Sequence, residues 1–263
     1  MQTSPPPAVA PPPTGAPAIG CSDIWKSFGH VEALRGATLT VRRGEVTALF
    51  GDNGAGKSTL LRVLCGIHRP DRGRVFVRGE PVAFDSIRDA HAHGIDVIHQ
   101  DLALAPDLSV TENVYLGHEQ FEGGWRGRLG VLARPAMGAQ ADGALRALGI
   151  ELPSTRVAVR ELSGGQRQAV AVARAVMWSE MAILMDEPTA ALGTKQSDVV
   201  CATIKEVARR GLGVFVISHD IPRMLEVADT AAVLRRGEIV FEAAARDVTI
   251  TDVVHAMVGD RER

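Results

Sequence analysis

What the chain lacks narrows it first. It has three cysteines in 263 residues, Cys21, Cys65 and Cys201, with no CxxC pair. An odd, scattered set argues against a disulfide framework and fits a reducing cytosol. No charge sign dominates: the formal net charge is −2, which leaves no electrostatic footprint for nucleic acid or an acidic lipid surface. No run approaches the roughly 18 apolar residues that a membrane span needs. Any service to a membrane therefore goes through a partner. Lysine is scarce, with four residues against an excess of arginine, a composition bias except where one Lys sits in a motif. The first 22 residues carry no charged side chain. Pro5, Pro6, Pro7, Pro11, Pro12, Pro13 and Pro17 prevent a helix there, and no Lys or Arg stands at the front, so an export signal is rejected. Ala18-Ile19-Gly20-Cys21 mimics a lipoprotein cleavage site, but no apolar core precedes it. Residues 1–18 read as a disordered, polyproline-like tail.

What is present is ordinary globular composition, 46 % hydrophobic and 23 % charged, enough to bury the core of one α/β unit. Glu45–Phe50, Met181–Met185 and Val214–Ser218 are short apolar runs bounded by turn or charged residues, as expected of strands buried on both faces. Lys57–Gly66, Gly165–Met177 and Thr194–Arg210 read as helices. This alternation predicts a mostly parallel sheet with helices on its faces. Ser22–Phe28, Ala37–Arg42, Arg74–Arg78 and Val82–Phe84 read as an antiparallel β subdomain, and Thr230–Arg235 with Glu238–Glu242 as a hairpin. About 102–175 the pattern turns helical, a subdomain inserted in the sheet, with Glu122–Gly130 a Gly-rich loop.

Gly51-Asp52-Asn53-Gly54-Ala55-Gly56-Lys57-Ser58 fits G-x-x-x-x-G-K-[ST], between a buried strand and a helix that continues through Thr59. Such glycines let the backbone curl so that its N–H groups meet phosphates at the positive end of a helix. Lys57 is placed to reach the β- and γ-phosphates and the Ser58 hydroxyl to ligate Mg²⁺. Downstream, Met181–Met185 runs into Asp186-Glu187. Neighbouring side chains on a strand face opposite ways, so Asp186 is assigned to Mg²⁺ and Glu187 to the attacking water.

Leu162-Ser163-Gly164-Gly165-Gln166-Arg167-Gln168 opens a helix with a capping Ser and two glycines. Alone it describes a well-capped helix equally well. Followed about twenty residues later by Ile183-Leu184-Met185-Asp186-Glu187-Pro188-Thr189, it resembles the ABC transporter ATPases from about Ile19 to Gly259. The resemblance implies a RecA-like P-loop NTPase fold. It also implies a head-to-tail homodimer that sandwiches two ATP molecules, with Ser163, Gly164, Gly165 and Gln166 acting on the partner's γ-phosphate. It implies that Phe28 stacks on adenine, with Trp25 as the rival. It further makes Gln100 a sensor of Mg²⁺ and the water, and His219 the residue that contacts the γ-phosphate. The remaining histidines, His91 and His93 among them, lack helical metal spacing and are read as surface or structural.

Ala190-Ala191-Leu192-Gly193 departs from the usual family pattern, which has Asp where Gly193 stands. With the phosphate loop and His99–Pro106, this resembles the single-cassette ATPases of simple-sugar importers of the fructose or ribose type. Such a subunit works at the cytoplasmic face of the membrane, held by integral permease subunits and served indirectly by an extracytoplasmic sugar-binding protein. By resemblance Asp101–Gly117 borders the groove for a permease helix. Leu102, Leu104, Leu108, Val110 and Val114 either supply that contact or fill the helical subdomain's core. The alternatives are the ATPase of an ABC importer for another small solute, or a soluble non-transport ABC-type ATPase; the paired cassettes, coiled coils or basic extensions usual in the soluble class are not seen.

Overall fold

The computed structural model describes residues 15–99, 102–190 and 192–259. Two sheets carry it. The first is antiparallel and orders its strands β2-β1-β4-β5, from β1 (Pro17–Phe28), β2 (Val31–Arg42), β4 (Arg72–Val77) and β5 (Glu80–Val82). The second has six strands in the order β10-β9-β3-β8-β7-β6. They are β3 (Val46–Phe50), β6 (Ile95–Ile98), β7 (Ala182–Asp186), β8 (Gly213–Ile217), β9 (Thr230–Arg235) and β10 (Glu238–Ala244). From β9 to β6 the pairing is parallel, and only β10 runs against its neighbour.

The strand period of two divides the core cleanly. Val46, Ala48 and Phe50 face one hydrophobic cluster with Ile183, Met185, Val214 and Val216. Leu49, Leu184, Phe215 and Ile217 face the other, which joins the two sheets. Strands buried on both faces have little freedom to slip, because a shift of one residue exchanges the two clusters.

Helices follow local signals. Ser163 caps α6 (Gly164–Trp178): its Oγ accepts the Gln166 N–H at 3.3 Å while Gln166 Oε1 accepts the Ser163 N–H at 2.9 Å. Ser109 and Glu112 make the same reciprocal cap on α3 (Val110–Val114). α2 (Ile87–Ala92) precedes β6, and between β6 and β7 lie α3, α4 (Gly124–Arg128), α5 (Arg134–Ala147) and α6. After β7 in the chain, α7 (Thr194–Arg209) packs against α6 within the same hydrophobic cluster.

Several expectations change. The sheet starts at Pro17, and Ala18 is fully buried, so the tail does not extend to 18; the Arg43 N–H donates to Ala16 and the Gly15 N–H to Arg43, which pins the chain before the strand. Residues 1–14 lie outside the described residues. The expected loop Glu122–Gly130 contains α4, closed by a Glu122–Arg126 ion pair at 2.9 Å and a Phe121–Leu132 bridge. Val110 and Val114 are fully buried, which commits them to the core and removes them from any partner-facing groove. Leu102, Leu104 and Leu108 are half-buried.

Two glycines test this packing in opposite directions. Gly143 lies within α5 with open space around an added Cβ, whereas a Cβ at Gly165 would stand 2.7 Å from Gln196 Cβ on α7. Gly143→Ala is expected to stabilise the protein by about 0.5–1 kcal/mol, and Gly165→Ala to destabilise it by about 1–3 kcal/mol. Urea unfolding midpoints of the two variants measure this.

Candidate active site

The carboxyl ends of β3, β8 and β7 lie side by side, and each leads directly into a segment with chemistry. In open parallel sheets this edge is where ligands bind. β3 feeds the phosphate loop, β8 feeds Ser218-His219 and β7 ends at Asp186. β6, the next strand out, leads to Gln100, which with Asp101 lies outside the described residues, as does Ala191.

The phosphate loop curls tightly. Gly51 and Gly56 have φ of 156° and 106°. A Cβ at Gly51 would run into the Leu234 carbonyl oxygen, and one at Gly56 into that of Ala33. The loop therefore presses backbone to backbone on β9 and β2, and only Gly fits. α1 (Lys57–Leu64) starts at Gly56 with no side-chain cap and no acid in its first turn, so no side chain competes for its leading amides. Asp52, Asn53 and Gly54 are exposed, Ala55 is buried, and Ser58 and Thr59 are half-buried.

Lys57 is 6 % exposed. Its ammonium donates to the Gly51 carbonyl at 2.6 Å and the Asp52 carbonyl at 3.0 Å. Burial lowers its pKa, while the nearby carboxylates of Glu187, Asp186 and Asp52 push it back up. The acidic pair and the phosphate loop thus share one electrostatic neighbourhood.

Glu187 takes a left-handed backbone, φ 52°, sparsely populated for a residue with a Cβ and a form of strain that concentrates at functional sites. Its N–H donates to the Ile217 carbonyl at 2.9 Å, one residue past the end of β7. Its Oε1 lies 2.9 Å from His219 Nε2. The parallel pairing of β7 with β8 brings together two residues 32 positions apart in sequence.

Phe28, at the end of β1, is 45 % exposed and meets the His68 ring edge-on, with centroids 5.1 Å apart. Its rival Trp25 is half-buried and donates its indole N–H to Asp23 at 2.8 Å. Of the two, Phe28 presents the freer ring. Ser163 is exposed at the start of α6, and Gly165 is buried against Gln196. No hydrogen bond or ion pair among the described residues joins Ser163–Gln166 to Gly51–Thr59.

Sequence reasoning missed the polar frame around His219. Asp220 caps α8 (Ile221–Val227), and Arg223 pairs with Asp220 and Asp198. The cap was readable from Asp220 with Pro222 just inside the helix; the pairing to α7 was not.

Away from these residues, a cleft of about 270 Å³ is lined by His91, Asp96, His99, Leu116, His118, Arg174 and Trp178, among others. His118 stacks flat on Trp178 at 4.0 Å. Arg174 donates to the carbonyls of Leu102 and Ala103, so it holds the segment that follows β6. His93 stays structural, bonded to the Asp89 carbonyl and edge-on to Phe84.

This fold, phosphate loop and acidic strand end define a P-loop nucleotide hydrolase. A family model described as ABC transporter matches residues 34–190. The xylose/arabinose import ATP-binding protein of Sulfolobus acidocaldarius is 43 % identical over 89 % of this chain and 91 % of its own length. The fructose import ATP-binding protein of Rhizobium meliloti is 41 % identical over 94 % and 95 %. A ribose import ATP-binding protein of Jannaschia is 39 % identical, and this chain spans 48 % of its length. Among solved structures, an ATP-binding cassette of an ABC transporter in its ADP conformation superposes with a TM-score of 0.79 at 26 % identity, over 93 % of this chain and 99 % of that one. The chain belongs to the ABC transporter family, as an ATP-binding and ATP-hydrolysing cassette. No helix among the described residues is long and apolar enough to cross a membrane.

His91 Nε2 and Asp96 Oδ1 stand 3.2 Å apart, and this contact raises the His91 pKa above its ordinary 6.5. A raised folded-state pKa stabilises below the unfolded value, and that contribution is lost as pH rises through the folded one. The gap in unfolding midpoint between the natural chain and Asp96→Asn is therefore expected to be wider at about pH 5.5 than at about pH 8. Thermal melts of both proteins across that range check the sign.

Proposed function

We propose that the chain is the motor of an importer for a simple sugar, binding Mg-ATP at Gly51–Thr59 and hydrolysing it in a head-to-tail pair. The observation that carries the chemistry is the contact between Glu187 and His219 beside the buried Lys57. Lys57 exchanges its two loop carbonyls for the β- and γ-phosphates. The uncapped amides of α1 take the remaining phosphate charge. Phe28 covers the adenine.

The donors suit a magnesium ion: the Ser58 hydroxyl and the Asp186 carboxylate, with Gln100 a further candidate, are hard oxygen ligands. Bound there, the ion would neutralise phosphate charge during hydrolysis. Glu187 accepts a proton from water as its oxygen bonds to the γ-phosphorus and the bond to ADP breaks. His219 orients Glu187 and faces the γ-phosphate. Ser163, Gly164, Gly165 and Gln166 complete the site of a second copy. The lack, among the described residues, of any bond between Ser163–Gln166 and the phosphate loop supports that reading, as does a dimeric bacterial ABC cassette with a TM-score of 0.70.

The sugar assignment draws on the relatives named above, which are import ATP-binding proteins for xylose or arabinose, fructose and ribose. By the same reasoning the subunit sits at the cytoplasmic face of the membrane on permease subunits, with an extracytoplasmic binding protein delivering the sugar. The cleft lined by Leu116, Arg174 and Trp178, next to the Leu102-Ala103 backbone that Arg174 holds, is its permease groove.

Lys57→Ala is expected to abolish tight ATP binding, read by equilibrium titration. Glu187→Gln keeps binding, slows hydrolysis at least ~10²-fold and accumulates as an ATP-bound dimer in the permease-bound assembly. Adding Ser163→Arg prevents that dimer. Light scattering that shows Glu187→Gln monomeric at saturating ATP, with the permease present, counts against the pair.

Phe28→Ala is expected to weaken ATP binding by about 0.5–1.5 kcal/mol while leaving inorganic triphosphate binding unchanged. Equal losses for both ligands, or a larger selective loss in Trp25→Ala, assign the adenine contact elsewhere.

A further inference from the structure

Glu187 and His219 sit on two loops that leave neighbouring strands and run into different helices. The loop after β7 enters α7 at Thr194, and the loop after β8 enters α8 at Ile221. Beyond the Glu187 N–H bond to Ile217, something must hold these loops in register for a 2.9 Å contact to persist.

One guanidinium spans the gap. Arg223 lies in the first turn of α8 with its side chain 20 % exposed. Its Nε pairs at 3.2 Å with Asp220 Oδ2, while Asp220 Oδ1 accepts the Arg223 N–H at 3.3 Å. Its Nη1 reaches α7, where it donates to the Thr194 carbonyl at 3.3 Å and pairs with Asp198 at 3.4 Å. Asp220 is held in turn, since its N–H donates to Ser218 Oγ at 3.1 Å. The planar fork of Arg suits such divided service, and a Lys point charge does not. Arg223, Asp220, His219 and Glu187 all line one cavity of about 310 Å³.

The α7 end of this bridge is anchored too. The Gly193 N–H donates to Gln196 Oε1 at 3.0 Å, and Gln196 is the residue against which Gly165 of α6 packs. A continuous set of contacts therefore runs from the start of α6, through the start of α7 and Arg223, to the loop that carries His219.

We infer that Arg223 is a positioning residue for hydrolysis, which fastens the start of α8 to the start of α7 and so keeps His219 against Glu187. The inference rests on the proposed catalytic roles of those two residues. A merely structural ion pair this close to the surface contributes little, and its loss affects hydrolysis no more in one background than in another.

The test uses the full-length chain with its permease and Mg-ATP. Arg223→Met is expected to lower kcat about tenfold or more through misplacement of His219, with KM for ATP within about twofold. Arg223→Lys recovers only part of the loss. In a His219→Ala background Arg223→Met is expected to cost nothing further, because both changes remove one device. The same fold-loss in both backgrounds, or an unchanged kcat, overturns the inference. If Arg223→Met does not fold, Arg223→Lys is carried through the same cycle.

A second readout needs no turnover. The His219 ring resonances of the isotope-labelled, nucleotide-free chain are expected to move in Arg223→Met in the direction that Glu187→Gln moves them. Unmoved resonances overturn the positioning alone. If Glu187→Gln and His219→Ala leave hydrolysis intact, the catalytic assignment itself fails, and Arg223's part in hydrolysis falls with it.

Discussion

The lateral pairing of β3, β8 and β7 is the constraint on which the site depends. Val46 to Leu49 run beside Val214 to Ile217, and Ala182 to Asp186 beside Gly213 to Ile217. Both faces of these strands are sealed by separate hydrophobic clusters, so none can slide without exchanging its buried residues. Their ends are therefore fixed to within a residue. Lys57, the acidic pair and His219 come from distant parts of the chain, yet each begins its loop from the same edge. The strained turn at Glu187 can persist because the strand before it cannot relax.

The phosphate loop was legible in the sequence because its glycines, Lys57 and Ser58 lie within eight consecutive residues, although the backbone of β9 and β2 that presses on Gly51 and Gly56 was not. The reciprocal cap of Ser163 and Gln166 was legible for the same local reason. The parallel strands were legible as apolar runs, and the acidic pair by its place at the end of one. The distance between Glu187 and His219 was not, because it depends on which strand lies beside which. Trp25 and Phe28 stayed open in the sequence for a similar reason. Both are aromatics on one strand, and only the turn of β1 and the Asp23 contact separate the exposed ring from the engaged one.

The errors have physical sources as well. Pro17 reads as part of a Pro-rich tail, yet it is the first residue of β1, a position where a strand tolerates a missing N–H, and the chain before it is tied to Arg43. Four glycines between Glu122 and Gly130 suggested a loop, but an ion pair and a short bridge close a turn of helix there. Val110 and Val114 share a short helix with polar residues, and a five-residue helix offers too little periodicity to assign its apolar face. Tertiary contact with α5 and α6 decides it.

The position of the Lys57 ammonium bears on how the protein rests between turnovers. A buried cation with no partner is costly, and a motor that empties its site in every cycle would meet that cost repeatedly. Here the carbonyls of Gly51 and Asp52 take over the hydrogen bonds that a phosphate would otherwise accept. Under the proposed role of Lys57, arrival of nucleotide is an exchange of acceptors, and departure is its reversal.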